Sequence, residues 1–264
     1  MRVLVCNDDG VDAPGIARAA AAARTLADDV WIVAPEVKWT AASHRVSFDR
    51  DLVLTRRAPR TWSCSGTPAD CVVAAMSAIE GGLAPDLVVA GINDKRNVGE
   101  DLAYSGTLAI AREATMRGVP AIALSRDDWP ADASADEAEV GTLLRLLWSE
   151  RATWLAPGAW LSVNLPARLP APLRQATLAR DKIASAADVT ERTHERIVFR
   201  LRRGRPGGAR EGDENALLAL GAVVVVRHRW DAAAPLPEAL VGAWSATFAS
   251  GAAPPGLEAP GEST

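Results

Sequence analysis

With 264 residues, the chain is long enough for one large α/β domain or two small ones. A composition of 48% hydrophobic and 23% charged residues excludes wholesale disorder, and a formal net charge of -4 gives no general pull toward nucleic acid or anionic membranes. Cys6, Cys64 and Cys71 form no CxxC pair and cannot all pair within one chain, which argues against a disulfide scaffold or a cysteine zinc site. That pattern fits a reducing, cytoplasmic setting. The first apolar run, Val3 to Cys6, is too short for a signal-peptide core, and no run reaches membrane-span length. Only Lys38, Lys95 and Lys182 are lysines among the 29 basic residues, a bias we read as that of a GC-rich, alanine- and arginine-encoding genome.

Val3 to Cys6 is a β-branched-rich run with the character of a buried parallel strand. Gly15 to Leu26 is alanine-rich and helix-favouring, and Val30 to Val33 is a second strand stopped at Ala34-Pro35. Thr67 and Pro68 are placed to cap and open a helix that runs to about Ile79. Leu87 to Ala90 is a strand ending at Gly91, and a helix over Thr107 to Arg117 is terminated by Gly118. Val119 to Leu124, Asp136 to Ser149 and Leu161 to Leu165 continue as strand, helix and strand. Strands alternating with helices at this spacing predict a mainly parallel sheet covered on both faces. Beyond Pro166 the pattern changes. Ile197 to Leu201 and Ala222 to Arg227 read as strands around a helix near Asp213 to Leu220. The basic stretch Arg202 to Arg210 reads mainly as a solvated loop, with contact to an acidic ligand as the alternative. The expected organisation is one domain over 1–249, with a core at 1–166 and a divergent part at 167–249. Residues 250–264, rich in Ala, Pro and Gly, are expected to be a disordered tail.

Ligands of open parallel sheets bind at the carboxyl ends of strands, and three polar clusters fall there. Asn7-Asp8-Asp9-Gly10 follows the first strand, and two adjacent carboxylates on a turn suit a hard divalent cation such as Mg or Mn. Taken alone, such a pair is more often a turn or capping device. Gly91 to Gly99 follows a later strand and offers the neutral amides of Asn93 and Asn97. Ser105-Gly106-Thr107 opens a helix, where exposed N–H groups and hydroxyls suit an anion, though plain capping explains it equally well. A metal corner facing a phosphate-sized anion site is what metal-assisted phosphate ester hydrolysis requires. A nicotinamide-dependent oxidoreductase is disfavoured, because NDDG stands where a GxGxxG turn would receive the pyrophosphate.

These residues resemble the SurE (survival protein E) family of metal-dependent phosphatases and 5′-nucleotidases. The resemblance is carried by Asn7 to Gly10 with Pro14-Gly15, Ala34 to Glu36, Ser43-His44 and Ser65 to Val72. Gly91 to Asn93, Tyr104 to Thr107 and Val163 to Pro166 continue it, with a weaker echo over Asp213 to Val226. It implies a Rossmann-like three-layer sandwich with a C-terminal β-hairpin and helix extension. It further implies phosphomonoesterase activity on nucleoside 5′- or 3′-monophosphates or a related small phosphate ester. By that resemblance Asp8, Asp9, Thr40 and Asn93 hold one divalent metal per subunit, Mg or Mn. Asn97, Ser105, Gly106 and Thr107 contact phosphate; Asp8, Asp9 and Asn97 form the catalytic set; and subunits pair as homodimers or homotetramers.

Some positions depart from the family pattern. Thr40 stands where serine is usual, and Ala41-Ala42 where glycine is frequent. Lys95 replaces a loop glycine, where bulk and the cost of positive φ constrain the backbone. Three readings of Lys95 stay open: surface placement, altered substrate choice together with Arg96, or a damaged metal site. His44 is read either as a substrate contact or as a structural hydrogen-bonding group, and Trp39 either as a stacking platform or as packing. His194 and His228 are read as structural or surface groups, and Cys71 as buried filler. Two alternatives to a nucleotidase remain: a specialised phosphatase of a pathway intermediate, or a binding protein that keeps the fold without turnover.

Overall fold

The computed structural model describes residues 1–129, 133–180, 184–204 and 208–250. In chain order the elements are β1 (Arg2–Cys6), α1 (Pro14–Arg24), β2 (Asp29–Pro35), β3 (Leu54–Ala58), β4 (Thr61–Cys64), α2 (Pro68–Ser77) and β5 (Leu87–Asn93). There follow α3 (Asp101–Tyr104), α4 (Gly106–Met116), β6 (Ala121–Arg126), α5 (Ala133–Ser149), α6 (Arg151–Trp154), β7 (Ala159–Leu165) and β8 (Leu173–Gln175). The last are β9 (Ala184–Arg192), β10 (Ile197–Arg203), α7 (Glu214–Ala219), β11 (Val223–Arg229) and α8 (Glu238–Ser250). One sheet runs β3-β4-β2-β1-β5-β6-β7-β11-β8, and β9 pairs with β10 in a separate two-stranded sheet. From β4 through β7 every pairing is parallel; β3 and β11 join their inner neighbours antiparallel. The expected mainly parallel α/β architecture is what the chain forms.

Alternation along the strands builds the layers. Val3 and Val5 of β1 pack on one face with Val89, Ile122 and Leu124 beneath α1 and α5, while Leu4 and Cys6 face Val88, Ala90 and Ala123 beneath α2 and α4. Central strands buried on both faces are why β1, β5, β6 and β7 are apolar almost throughout. Thr67 caps α2 through a reciprocal box with Asp70, as the Thr67-Pro68 signal predicts. Cys6, Cys64 and Cys71 are buried free thiols, Cys6 and Cys71 within the α2 layer.

The differences lie where side chains are exposed. β3 and β4 extend the sheet before α2, and β3 carries exposed Arg56 and Arg57, so no apolar run marks it. The hairpin β9–β10 closes through a turn in which the Thr193 N–H donates to the Arg196 carbonyl at 2.8 Å. Arg202 and Arg203 belong to β10 rather than to a loop, and Arg202 pairs with Asp188 across the hairpin. Of the rest of that basic stretch, residues 205–207 lie outside the described residues. The segment from Asp231 is a separate unit. Its helix α8 falls where no helix was expected and exposes Leu240, Val241, Trp244 and Phe248. The expected tail, from residue 251 on, lies outside the described residues.

Candidate active site

The carboxyl ends of β1, β2 and β5 sit side by side, so the loops that follow them and the start of α4 meet at one edge of the sheet. After β1, buried Asn7 closes the turn on itself: its Nδ2 donates to the Gly10 carbonyl at 2.9 Å and its Oδ1 accepts from the Gly10 N–H at 3.2 Å. That turn presents Asp8 and Asp9. The loop after β2 is tied to it, since the Trp39 N–H donates to the Asp8 carbonyl at 2.7 Å.

Asp8 is buried and accepts a short hydrogen bond from the Thr107 hydroxyl at the start of α4. Burial pushes its carboxyl up to about 6; the Thr107 bond opposes that rise, and the neighbouring charge of Asp9 adds to it. Gly106 allows the helix to approach this closely. A Cβ there would stand 2.7 Å from the Asp8 Cβ and 2.9 Å from Cγ of Pro68. Asp9, its side chain 7% exposed, takes Lys38 Nζ on Oδ1 at 2.5 Å and the Asp94 N–H on Oδ2 at 3.1 Å. Lys38 also reaches Asp94 Oδ2 at 2.7 Å. Partial burial works against the Lys38 charge, but its two carboxylate bonds prevail and hold its pKa above the ordinary value.

The loop after β5 is clamped from β6 and β7. Asn164 accepts from the Asn97 N–H at 2.9 Å and donates back to the Asn97 carbonyl at 2.8 Å, while Asn97 Nδ2 donates to Ser125 Oγ at 2.8 Å. Arg96 is fixed by Asp127 through its N–H at 2.8 Å and its Nε at 3.3 Å. Glu214, from α7, accepts from the Gly99 N–H at 2.7 Å, and burial raises its pKa. Asn93 commits its amide NH2 to the Lys95 carbonyl at 2.5 Å, leaving the amide oxygen as its donor atom for a cation.

A cavity of about 470 Å³ opens over these groups. Asp8, Asp9, Thr40, Asn93, Lys95, Asn97 and Ser105 line it, together with Lys38, Trp39, Arg96, Tyr104 and Asp127. Gly106 and Thr107 lie behind Asp8 rather than on the cavity wall, and the Ser105 hydroxyl caps α4 by accepting from the Leu108 N–H at 3.1 Å. His44 is not on the wall either: its Nε2 meets Glu113 Oε2 at 2.9 Å, the structural hydrogen bond that was one of its two readings. Lys95 does not carry the positive φ expected at a glycine position. Among the described residues other than glycine, that conformation falls on Ala41, Ser43, Arg60 and Glu80. Ala41, at φ 54°, is therefore the departure that strains the loop.

Lys38, Ser125 and Asp127 escaped the sequence reading, and Asn164 entered it only within the Val163 to Pro166 motif, without a role at the site. Ser125 and Asn164 carried a signal all the same, as polar residues at the carboxyl ends of buried strands.

Residues 3–191 match the family model described as survival protein SurE. The chain belongs to the SurE family. It is 48% identical over 127 residues to a protein named 5′-nucleotidase SurE from Rhodopseudomonas palustris (strain BisA53), covering 48% of this chain and 50% of that one. A second so named, from Methylobacterium radiotolerans, is 38% identical over 181 residues, 68% of this chain and 71% of its own. The crystal structure of SurE protein from Aquifex aeolicus superposes with a TM-score of 0.73 at 25% identity, covering 95% of this chain and all of that one. The chain spans about half the length of several curated SurE relatives that it matches. Among the described residues no three His, Cys, Asp or Glu side chains gather as a metal cluster, and no helix is long and apolar enough to cross a membrane. The SurE corner instead offers two carboxylates and neutral oxygens, a hard, all-oxygen donor set that fits Mg or Mn.

Proposed function

We propose that this SurE chain is a metal-dependent phosphomonoesterase acting on nucleoside monophosphates or a related small phosphate ester. The observation that carries this reading is one cavity lined together by the carboxylates Asp8 and Asp9 and by Asn93, Asn97 and Ser105. The relatives named 5′-nucleotidase support the nucleotide as the default substrate. Asp8, Asp9, Asn93 and Thr40 are the residues that would hold one divalent cation, which when bound polarises a phosphoryl oxygen and acidifies a water. Asp8 or Asp9 orients the attacking water, since both carboxylates sit on one turn at the cavity wall. Asn97, rigidly held by Asn164 and Ser125, offers its amide to the phosphoryl oxygens, where preorganised donors act with little reorganisation.

Lys95 and Arg96 on the same wall favour a second reading, a phosphatase specialised for an intermediate with another acidic group. The protein works as a homodimer or homotetramer in the cytoplasm, its substrate a small phosphorylated molecule rather than nucleic acid or membrane. The apolar side chains of Val189, Phe199 and Leu201 exposed on the β9–β10 hairpin support pairing of subunits.

The test is phosphate release over a panel of nucleotides, sugar phosphates and short polyphosphates with Mg or Mn, with EDTA, and with Asp8→Asn. Release that needs metal and is abolished by Asp8→Asn is expected. Folded protein that releases phosphate from nothing in the panel overturns the reading.

A further inference from the structure

Asp8, Asp9 and Asp94 all line the cavity, and Lys38 pairs with two of them, Asp9 and Asp94. Its ammonium bonds Asp9 at 2.5 Å and Asp94 at 2.7 Å, so it bridges the loop after β1 to the loop after β5. The Asp94 N–H bond to the other Asp9 oxygen, at 3.1 Å, completes the closure. Both Asp9 oxygens are therefore engaged within the protein. The Asp9 side chain is 7% exposed while the Lys38 side chain is 46% exposed, so a buried carboxylate is held by a lysine whose side chain reaches water. A compact ammonium on a four-carbon stem can swing away from such a site as a guanidinium fork, fixed in its geometry, does not. The other two cations on the wall have no such bond: Arg96 is engaged by Asp127, and Lys95 forms no ion pair with a described carboxylate.

We infer that Lys38 is the resident counter-ion of this corner, and that a divalent cation gains Asp9 only by displacing it. The inference rests on the reading of Asp8 and Asp9 as cation ligands. Lys38 then sets how tightly metal is held: it neutralises Asp9 in metal-free protein and competes with metal for the same oxygen. A hydrogen bond to a charged group corresponds to roughly a ten- to hundredfold equilibrium factor, and removing the competitor returns that factor to metal affinity.

The experiment is calorimetric titration of the full chain with MnCl2 after EDTA treatment and dialysis, without substrate. Wild type is compared with Lys38→Met, Lys38→Gln, Lys38→Arg and, as a control on the site, Asp9→Ala. Thermal melts of each protein are taken in EDTA and in saturating Mn. The neutral variants are expected to bind Mn about tenfold or more tightly than wild type. Lys38→Arg, which keeps the charge on a fork that does not swing away, is expected to bind Mn no more tightly than wild type. In the melts, Lys38→Met should lose stability in EDTA and regain most of it with Mn, because metal then supplies the missing positive charge. Mn affinity indifferent to residue 38, with binding still lost in Asp9→Ala, overturns the role of Lys38 alone. An equal tightening in Lys38→Arg overturns it too, since shape rather than charge would then be the cause. Absence of Mn binding in every protein overturns the cation site and the inference together.

Discussion

Substituting Gly106 by alanine puts one methyl group behind the proposed metal ligand Asp8. The added Cβ would lie 2.7 Å from the Asp8 Cβ, 2.9 Å from its Oδ2 and 2.9 Å from Cγ of Pro68. Pro68 is locked in the first turn of α2 and Asp8 is short and buried, so neither can yield as the tip of a long side chain would. Overpacking of this kind costs roughly 1–3 kcal/mol. At about 2–4 °C per kcal/mol, the melting temperature should fall by roughly 2–12 °C. The control sits at the other end of the same helix. Gly118 has φ +78° with open space around its Cβ position, so Gly118→Ala costs about 1–2 kcal/mol in backbone strain without touching the site. Melting curves and Mn titrations of both variants separate the two effects. Both should melt lower, but only Gly106→Ala should lose Mn affinity, by about tenfold or more, as when the outer support of a metal ligand is disturbed. A Gly106→Ala protein that melts lower yet binds Mn like wild type would refute the placement of Asp8 in the metal corner.

Three further outcomes are expected. Arg126, wholly buried at the end of β6, holds both oxygens of Asp136 through one nitrogen at 2.5 and 2.6 Å; Asp136→Ala strands that charge and should cost about 3–5 kcal/mol in urea unfolding, whereas a loss below 1 kcal/mol would show that solvent reaches the pair. His228 is buried against Trp160 and Ser162, and burial, followed by the charge of Arg112, lowers its pKa to about 4. The unfolded chain then takes up a proton below pH 6.5 that the native chain refuses, so stability is full above pH 6.5 and declines as pH falls toward 4, by about 3 kcal/mol in all. His228→Gln should shrink that acid loss in denaturant titrations at pH 7.5 and 4.5; an equal loss in both proteins would assign it to carboxylates elsewhere. Lys95→Gly should raise KM for the preferred substrate about tenfold and reorder the substrate panel, and an unchanged ranking would remove Lys95 from substrate recognition.

Burial decides which parts of this fold are legible in the sequence. Strands β1, β5, β6 and β7 are covered on both faces, so their residues are apolar in succession and announce themselves. Strand β3 lies at the sheet edge with arginines in water, and β9 reads ASAADVTER; neither carries a periodicity separable from a loop. The site follows the same division. Asp8, Asp9, Asn93 and Asn97 stand out together because polar clusters at strand ends and the family resemblance point to the same residues, although the Asp8-Asp9 pair alone reads as a turn or capping device. Lys38 does not, because its meaning depends on Asp94, 56 residues away, and Thr107 takes its role from Asp8 across 99 residues.

Lys95 shows how residue type alone misplaces a cost. Read against a family glycine, it raised the question of positive φ, and that question has its answer elsewhere. Lys95 keeps an ordinary backbone, while Ala41, on the opposite loop, adopts φ 54°. The loop after β5 is therefore compatible with a side chain at position 95, held as it is by the Asn93, Asn97 and Asp127 hydrogen bonds on either side. What lysine changes there is charge. With Lys38 engaged by Asp9 and Asp94, and Arg96 by Asp127, a glycine-to-lysine difference at 95 adds to the cavity wall a cation that no described carboxylate neutralises by an ion pair. The proposed specialised-phosphatase reading places its consequence in substrate choice rather than in folding, and on that reading Lys95→Gly is expected to move KM and leave the melting temperature nearly unchanged.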